Sequence, residues 1–210
     1  MVLVYCDAML FENLLRVATP IAILVPLFYP LYCWGAGKRI KLDPYAIALY
    51  MSVTYLAMVI LEAAIGYSHG EIFGWRLWEY RMNPNHHGYG TYLGAVMWPF
   101  YGLHIYWFKQ VMDSRWPNKR HPLVIGLFTS FEGPAFEFLG NGIILILYGQ
   151  FLFYYFPPEL FHLTTVHVMP HYFIAGVCLG YIVNAVEKAP KTWGLPISLY
   201  ALGLGVTLLG

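Results

Sequence analysis

Apolar residues run along this chain in six blocks, each close to the length of a bilayer-crossing helix and separated by short polar connections. A spanning helix needs about 20 mostly apolar residues. The blocks fall at 17–36, 45–67, 90–111, 122–148, 161–185 and 193–209. This pattern predicts an all-α fold, a polytopic transmembrane bundle of about six helices in one integral membrane domain spanning 1–210. Residues 149–158 are expected to extend the fourth helix or to lie along the membrane interface. In the longest connection, 67–89, Gly, Asn and Pro signal loop, and Trp75–Tyr80 reads as a short interfacial helix.

Composition agrees with the pattern. The 210 residues are 59% hydrophobic and 11% charged, against about 25% charged in ordinary soluble domains. Mean hydropathy is +0.56. Eighteen Tyr, 14 Phe and 7 Trp suit interfacial belts, helix packing and the walls of apolar sites. Loops 37–44, 112–121 and 186–192, with Lys109 beside them, hold 9 of the 12 basic residues. The positive-inside rule then puts these loops in the cytoplasm and both termini outside or in a lumen. Asp7 and Glu12 stand where a cleavable signal would be basic, so the first apolar run is expected to remain as an anchor.

Shifting the chain by 75 residues places Glu62 on Glu137, Gly74 on Gly149, Leu77 on Leu152 and Tyr80 on Tyr155. A two-helix offset preserves orientation, so this shift implies a parallel two-helix repeat.

Ionisable groups inside spanning segments are costly and are functional candidates by default. Glu62, Glu132 and Glu137 are such groups, with His104, His167 and His171. Glu137 and Asn141 share a helical face at i, i+4 spacing, and His171 is an attractive partner for Glu137. Glu132 precedes Gly133-Pro134, an expected kink. Each carboxyl could equally serve as a hydrogen-bonded tie between helices. His167 and His171 are four residues apart, but two ligands do not make a metal site. No metal and no cofactor are expected; haem or a metal on His104, His167 and His171 is the weaker alternative. Cys6, Cys33 and Cys178 are too scattered for a zinc or disulfide framework. A net charge of +1 gives no reason to expect a nucleic-acid partner.

Residues 55–108 carry a further pattern: Glu62-x-x-x-Gly66, then Trp78-Glu79-Tyr80, then Gly90 and Trp98-Pro99-Phe100-Tyr101-Gly102. It resembles small polytopic permeases of the CmpB type, the membrane lycopene cyclases and, less closely, the emopamil-binding sterol isomerases. The Pro-x-Glu-Glu of lycopene cyclases is replaced here by the Trp98–Tyr101 stretch. Met58 stands where the sterol isomerases place a histidine. The resemblance therefore implies an apolar, isoprenoid-type substrate and acid-initiated chemistry, and transfers neither family's catalytic set.

The leading expectation is a membrane-embedded isomerase or cyclase using acid–base chemistry on an apolar, isoprenoid substrate or membrane lipid. Glu137 would donate a proton, with Asn141 and His171 holding it. Glu62 or His104 would accept one, and Glu132 belongs to the same catalytic set. Trp98, Tyr101 and Trp107, with Trp78 and Tyr80 from the loop, would line the substrate and face positive charge through their rings. Two rival readings are a non-catalytic subunit of a larger membrane complex or homo-oligomer, and a small transporter.

Overall fold

The computed structural model describes residues 2–117 and 122–209, with side chains from Leu10 onward. Cys6 and the basic pair Lys119 and Arg120 therefore lie outside what it describes. Among the described residues there are six α-helices: α1 (Val2–Ala36), α2 (Pro44–Phe73), α3 (Gly94–Arg115), α4 (Pro122–Tyr148), α5 (Met169–Val186) and α6 (Gly194–Leu209). Four segments are long and apolar enough to cross a membrane, at Leu10–Ala36, Pro44–Phe73, Pro122–Tyr148 and Val166–Val186. The chain is an all-α bundle built for a bilayer.

Local chemistry sets the helix ends. Asp43 caps α2, its carboxyl accepting from the Ala46 N–H at 3.2 Å, and Pro44 supplies a first helical residue with no N–H to satisfy. At the other end Gly74 turns left-handed, with φ of 73°, and its N–H closes on the Gly70 carbonyl. α4 ends in the same way at Gly149, φ 67°, whose N–H bonds the Leu145 carbonyl at 2.9 Å. Only glycine takes this conformation without strain.

The short interfacial helix expected at Trp75–Tyr80 and the segment 149–158, expected to extend the fourth helix or lie along the interface, each contain a short strand. Trp78–Tyr80 is β1 and Phe153–Tyr155 is β4. Alternating burial of aromatic side chains, with left-handed glycines just upstream, favours extended backbone over another helical turn. β1 and β4 pair antiparallel, Trp78 opposite Tyr155, Glu79 opposite Tyr154 and Tyr80 opposite Phe153. A second small ribbon joins β2 (Asn85–His86) to β3 (Gly90–Thr91). The fifth helix starts at Met169, later than the apolar run suggests, because a left-handed turn through Leu160, Phe161 and His162 and a 3₁₀ turn at Val166–Val168 precede it.

The 75-residue repeat is present in three dimensions. α2 ends at Phe73 and α4 at Tyr148, 75 residues on. Glu79 and Tyr154, equivalent by the shift, face each other at the centre of the strand pair. The flanking bonds are equivalent too: Arg81 N–H donates to the Leu152 carbonyl at 2.9 Å and Phe156 N–H to the Leu77 carbonyl at 3.1 Å. A segment pairing antiparallel with its own equivalent is the signature of a two-fold axis. α2–β1–α3 and α4–β4–α5 are therefore two halves joined about a pseudo-two-fold through the ribbon. α1 packs against α3 and α4, and α6 against α2.

Within each half a glycine brings the helices together. A Cβ on Gly102 would sit 2.6 Å from the Tyr50 carbonyl oxygen and 2.7 Å from Met51 Cα. On Gly176 it would collide with Thr129 Oγ1 and lie 2.9 Å from Gly126 Cα. Small residues at such crossings let backbones touch, which drives helix association in lipid. Gly102→Val or Gly176→Val is expected to cost about 1–3 kcal/mol by overpacking. The control is Gly140→Ala, where nothing lies within 4 Å. Denaturation of the detergent-solubilised protein should show both valine variants melting earlier and the control unchanged.

Candidate functional site

The two halves line a cavity of about 130 Å3 beneath the β1–β4 ribbon. Glu62 of α2 and Glu137 of α4 both line it. Glu62 stands eleven residues before Phe73 and Glu137 eleven before Tyr148, about 16 Å along each helix from its ribbon end. Much of the remaining wall is aromatic, including Trp98, Phe100, Tyr101 and Phe136. α1 adds Val17, Pro20, Ile21 and Leu24.

Each carboxyl takes its donors from its own half. Tyr80, on β1, donates its hydroxyl to Glu62, and Trp98 Nε1–H donates to the other oxygen at 3.2 Å. Tyr155, on β4, donates to Glu137 at 2.8 Å. Thr164 and Tyr172 donate to Glu137 as well, each at 2.8 Å. Both tyrosines of the ribbon follow their glutamate by eighteen residues. Burial pushes the Tyr80 and Tyr155 phenols well above their ordinary value, and the neighbouring carboxyls Glu62 and Glu137 push them further. Both phenols therefore keep their protons and act as donors.

Trp78, Tyr80, Trp98, Tyr101, Glu62, Glu137 and His171 all line the cavity, as does Asn141. Asn141 does not hold Glu137. Its amide donates to the carbonyls of Phe153 at 2.8 Å and Leu163 at 3.2 Å, and its oxygen accepts from Leu152 N–H at 2.9 Å. It anchors β4 to α4. His171 does not hold Glu137 either; its ring lies 5.8 Å from that of His69 on α2.

Glu132, His104 and Trp107 lie behind the cavity wall rather than on it. The Phe136 ring stands between, 4.2 Å from the His104 ring, centre to centre, on one side and facing the cavity on the other. His104 Nδ1 is 3.6 Å from a Glu132 oxygen, and the Trp107 ring centre is 5.2 Å from that of His104. His167 is half-exposed and pairs with Glu159 at 3.6 Å. The three histidines thus take different partners. Among the described residues no three His, Cys, Asp or Glu side chains are grouped to hold a metal ion.

Tyr155, Thr164, Tyr172 and Phe136 are the site residues that sequence reasoning misses. Tyr155 was within reach: the shift that maps Glu62 onto Glu137 also maps Tyr80 onto it. Tyr172 answers Trp98 only through an offset of 74, the offset that also relates the crossing glycines Gly102 and Gly176. No periodicity marks Thr164 or Phe136.

The chain has no match among protein-family models, curated proteins or solved structures.

The role of Asn141 can be measured. Asn141→Ala strands the buried Leu152 N–H and Phe153 carbonyl, and each unpaired group costs about 1–3 kcal/mol. Unfolding in detergent should show a loss of about 2–4 kcal/mol. Tyr155→Phe, which leaves Glu137 two other donors, should lose less.

Proposed function

We infer that the protein is a membrane-embedded enzyme that isomerises or cyclises an apolar, isoprenoid-type substrate by acid–base chemistry. One observation carries this reading: two carboxyl groups on equivalent helices face a single aromatic-walled cavity, each held in place by hydroxyl or N–H donors. Proton transfer to carbon needs a positioned acid, a positioned base and exclusion of water. The expectation drawn from the lycopene cyclase and sterol isomerase resemblance points the same way.

The step balances without a redox partner. Glu137 gives its proton to one carbon of a substrate double bond; a C–H bond forms and the π pair is consumed. The neighbouring carbon becomes a cation, which a second double bond can attack to close a ring. Glu62 then removes a proton from an adjacent carbon, and that C–H pair becomes the new double bond. The rings of Trp98, Tyr101, Phe136 and Tyr172 face the developing charge, an attraction of about 0.5–2 kcal/mol each. A substrate of this kind partitions into lipid, and α1 is the wall that separates the cavity from the bilayer. In this reading the basic loops face the cytoplasm and the ribbon faces the opposite side. A carrier for a small apolar molecule is the second reading, favoured by the parallel repeat around a mid-bundle cavity.

Two measurements test the enzyme reading. Membranes supplied with linear isoprenoids should accumulate an isomeric product of unchanged mass. Glu137→Gln or Glu62→Gln should cut its formation by about 10²–10⁴-fold. Unchanged formation in Glu137→Gln would remove Glu137 as the acid, and passage of unaltered isoprenoid between vesicles would favour the carrier. In nanodiscs, a tertiary amine bearing one isoprenoid chain mimics the cation. It should bind about tenfold tighter than the matching alcohol, roughly 1.4 kcal/mol. That preference should vanish in the glutamine variants.

A further inference from the structure

A second polar cluster lies one layer behind the cavity. It comprises Glu132 of α4, His104, Tyr101 and Trp107 of α3, and Tyr32 of α1. The His104 ring is fully buried, Trp107 is 2% exposed and Tyr101 is 5% exposed. The Tyr32 hydroxyl lies 3.4 Å from His104 Nδ1, and the Tyr32 and Tyr101 hydroxyls face Glu132. Around them stand Phe28, Phe100 and Phe136, ring centres 5.1, 4.9 and 4.2 Å from that of His104.

Within this cluster five buried polar atoms close no hydrogen bond of good geometry: both Glu132 oxygens, the Tyr101 hydroxyl oxygen, His104 Nε2 and Trp107 Nε1. Buried polar atoms are normally paired, and several orphans in one place point to an unaccounted partner. Donors and acceptors are both present, and the surroundings are otherwise apolar. That combination suits internal water, which makes about three hydrogen bonds to groups left unpaired by protein.

The cluster adjoins the cavity at Tyr101. Tyr101 turns its hydroxyl toward Glu132 while its ring lines the cavity. That ring lies 6.3 Å from Tyr172, which donates to Glu137, and 6.4 Å from Trp98, which donates to Glu62. On α4 Glu132 precedes Glu137 by five residues, about 7.5 Å along the axis.

The proposed reaction creates a need that this arrangement meets. After one turnover Glu137 has lost a proton and Glu62 has gained one. The next turnover requires the reverse state, and the largely apolar cavity wall offers few groups to restore it. We propose that Glu132 and His104, with internal water at the unpaired atoms beside them, form a proton-exchange site that resets the carboxyl couple through the Tyr101 hydroxyl. The proton on Glu62 passes to the cluster base, a proton from the cluster acid passes to Glu137, and the net charge is unchanged. This inference rests on the acid–base reading of the cavity.

Infrared spectroscopy of the protein in nanodiscs tests it without a substrate. The carbonyl stretch of a protonated carboxyl shifts when its proton exchanges for deuterium. Glu62→Gln and Glu137→Gln identify which band belongs to the cavity. On changing from H2O to D2O, that band should exchange more slowly in Glu132→Gln and His104→Phe, on the order of a hundredfold. Tyr101→Phe, which removes one hydroxyl and keeps the ring, should slow it too and guards against misfolding of the bulkier changes. The amine probe should bind Glu132→Gln and His104→Phe within about twofold of the parent, which separates a proton path from a merely structural role. Exchange at the parental rate in all three overturns the inference and leaves the carboxyl couple standing. No protonated band assignable to Glu62 or Glu137 overturns the couple and this inference together.

Discussion

A carboxyl group in the middle of an apolar bundle must find hydrogen-bond donors, and most of this architecture follows from how two carboxyls find theirs. A helix satisfies its own backbone and offers no spare N–H to a glutamate on its flank. The donors at Glu62 and Glu137 come instead from side chains, and the tyrosine of each set arrives on a strand. Tyr80 and Tyr155 are buried, so their strands must dip between the helices. Strand backbone there has exposed edges that lipid cannot satisfy. Pairing β1 with β4 satisfies those edges, with Asn141 and the bonds from Arg81 and Phe156 completing the set. The ribbon that ties the halves together is thus a consequence of burying the two acids.

The halves differ in the donors they bring to the two carboxyls. Glu62 takes an indole N–H where Glu137 takes a phenol, and Thr164 donates only to Glu137. Gly66 occupies the place of Asn141; a Cβ there would press 2.9 Å against the Tyr89 ring, so one half is filled by an aromatic side chain and the other by a backbone anchor. Unequal donor sets around equivalent positions make the two carboxyls distinct while keeping them on one cavity.

The helices were legible because lipid imposes one strong rule, a run of apolar residues of fixed length, and Pro122–Tyr148 follows it residue for residue. The carboxyls were legible for the complementary reason, since a charge in such a run stands out. The strands were not. Three residues such as Trp78-Glu79-Tyr80 carry too little period to separate strand from helix, and a strand buried on both faces has no polar alternation to display. The pairing of Glu137 was misread for a related reason. Spacing along one helix pointed to Asn141, whereas its donors come from β4, the 164 turn and α5, whose approach depends on tertiary packing. His104 and Trp107 were placed with the substrate because they are polar or aromatic in a spanning segment, a criterion that cannot tell the inside of a wall from its far side.

Glu132 sharpens the distinction between scaffold and function. By the 75-residue shift its counterpart is Ala57, a buried small residue in the first half. The fold therefore accepts an alanine at this position in one half and a carboxyl in the other. Glu132 also gathers partners with no equivalents: His104 aligns with Cys178 at the 74-residue offset of α3 and α5, and Tyr32 comes from α1, outside the repeat. The polar cluster is thus assembled in one half of the repeated frame only, with buried atoms that the protein leaves unpaired.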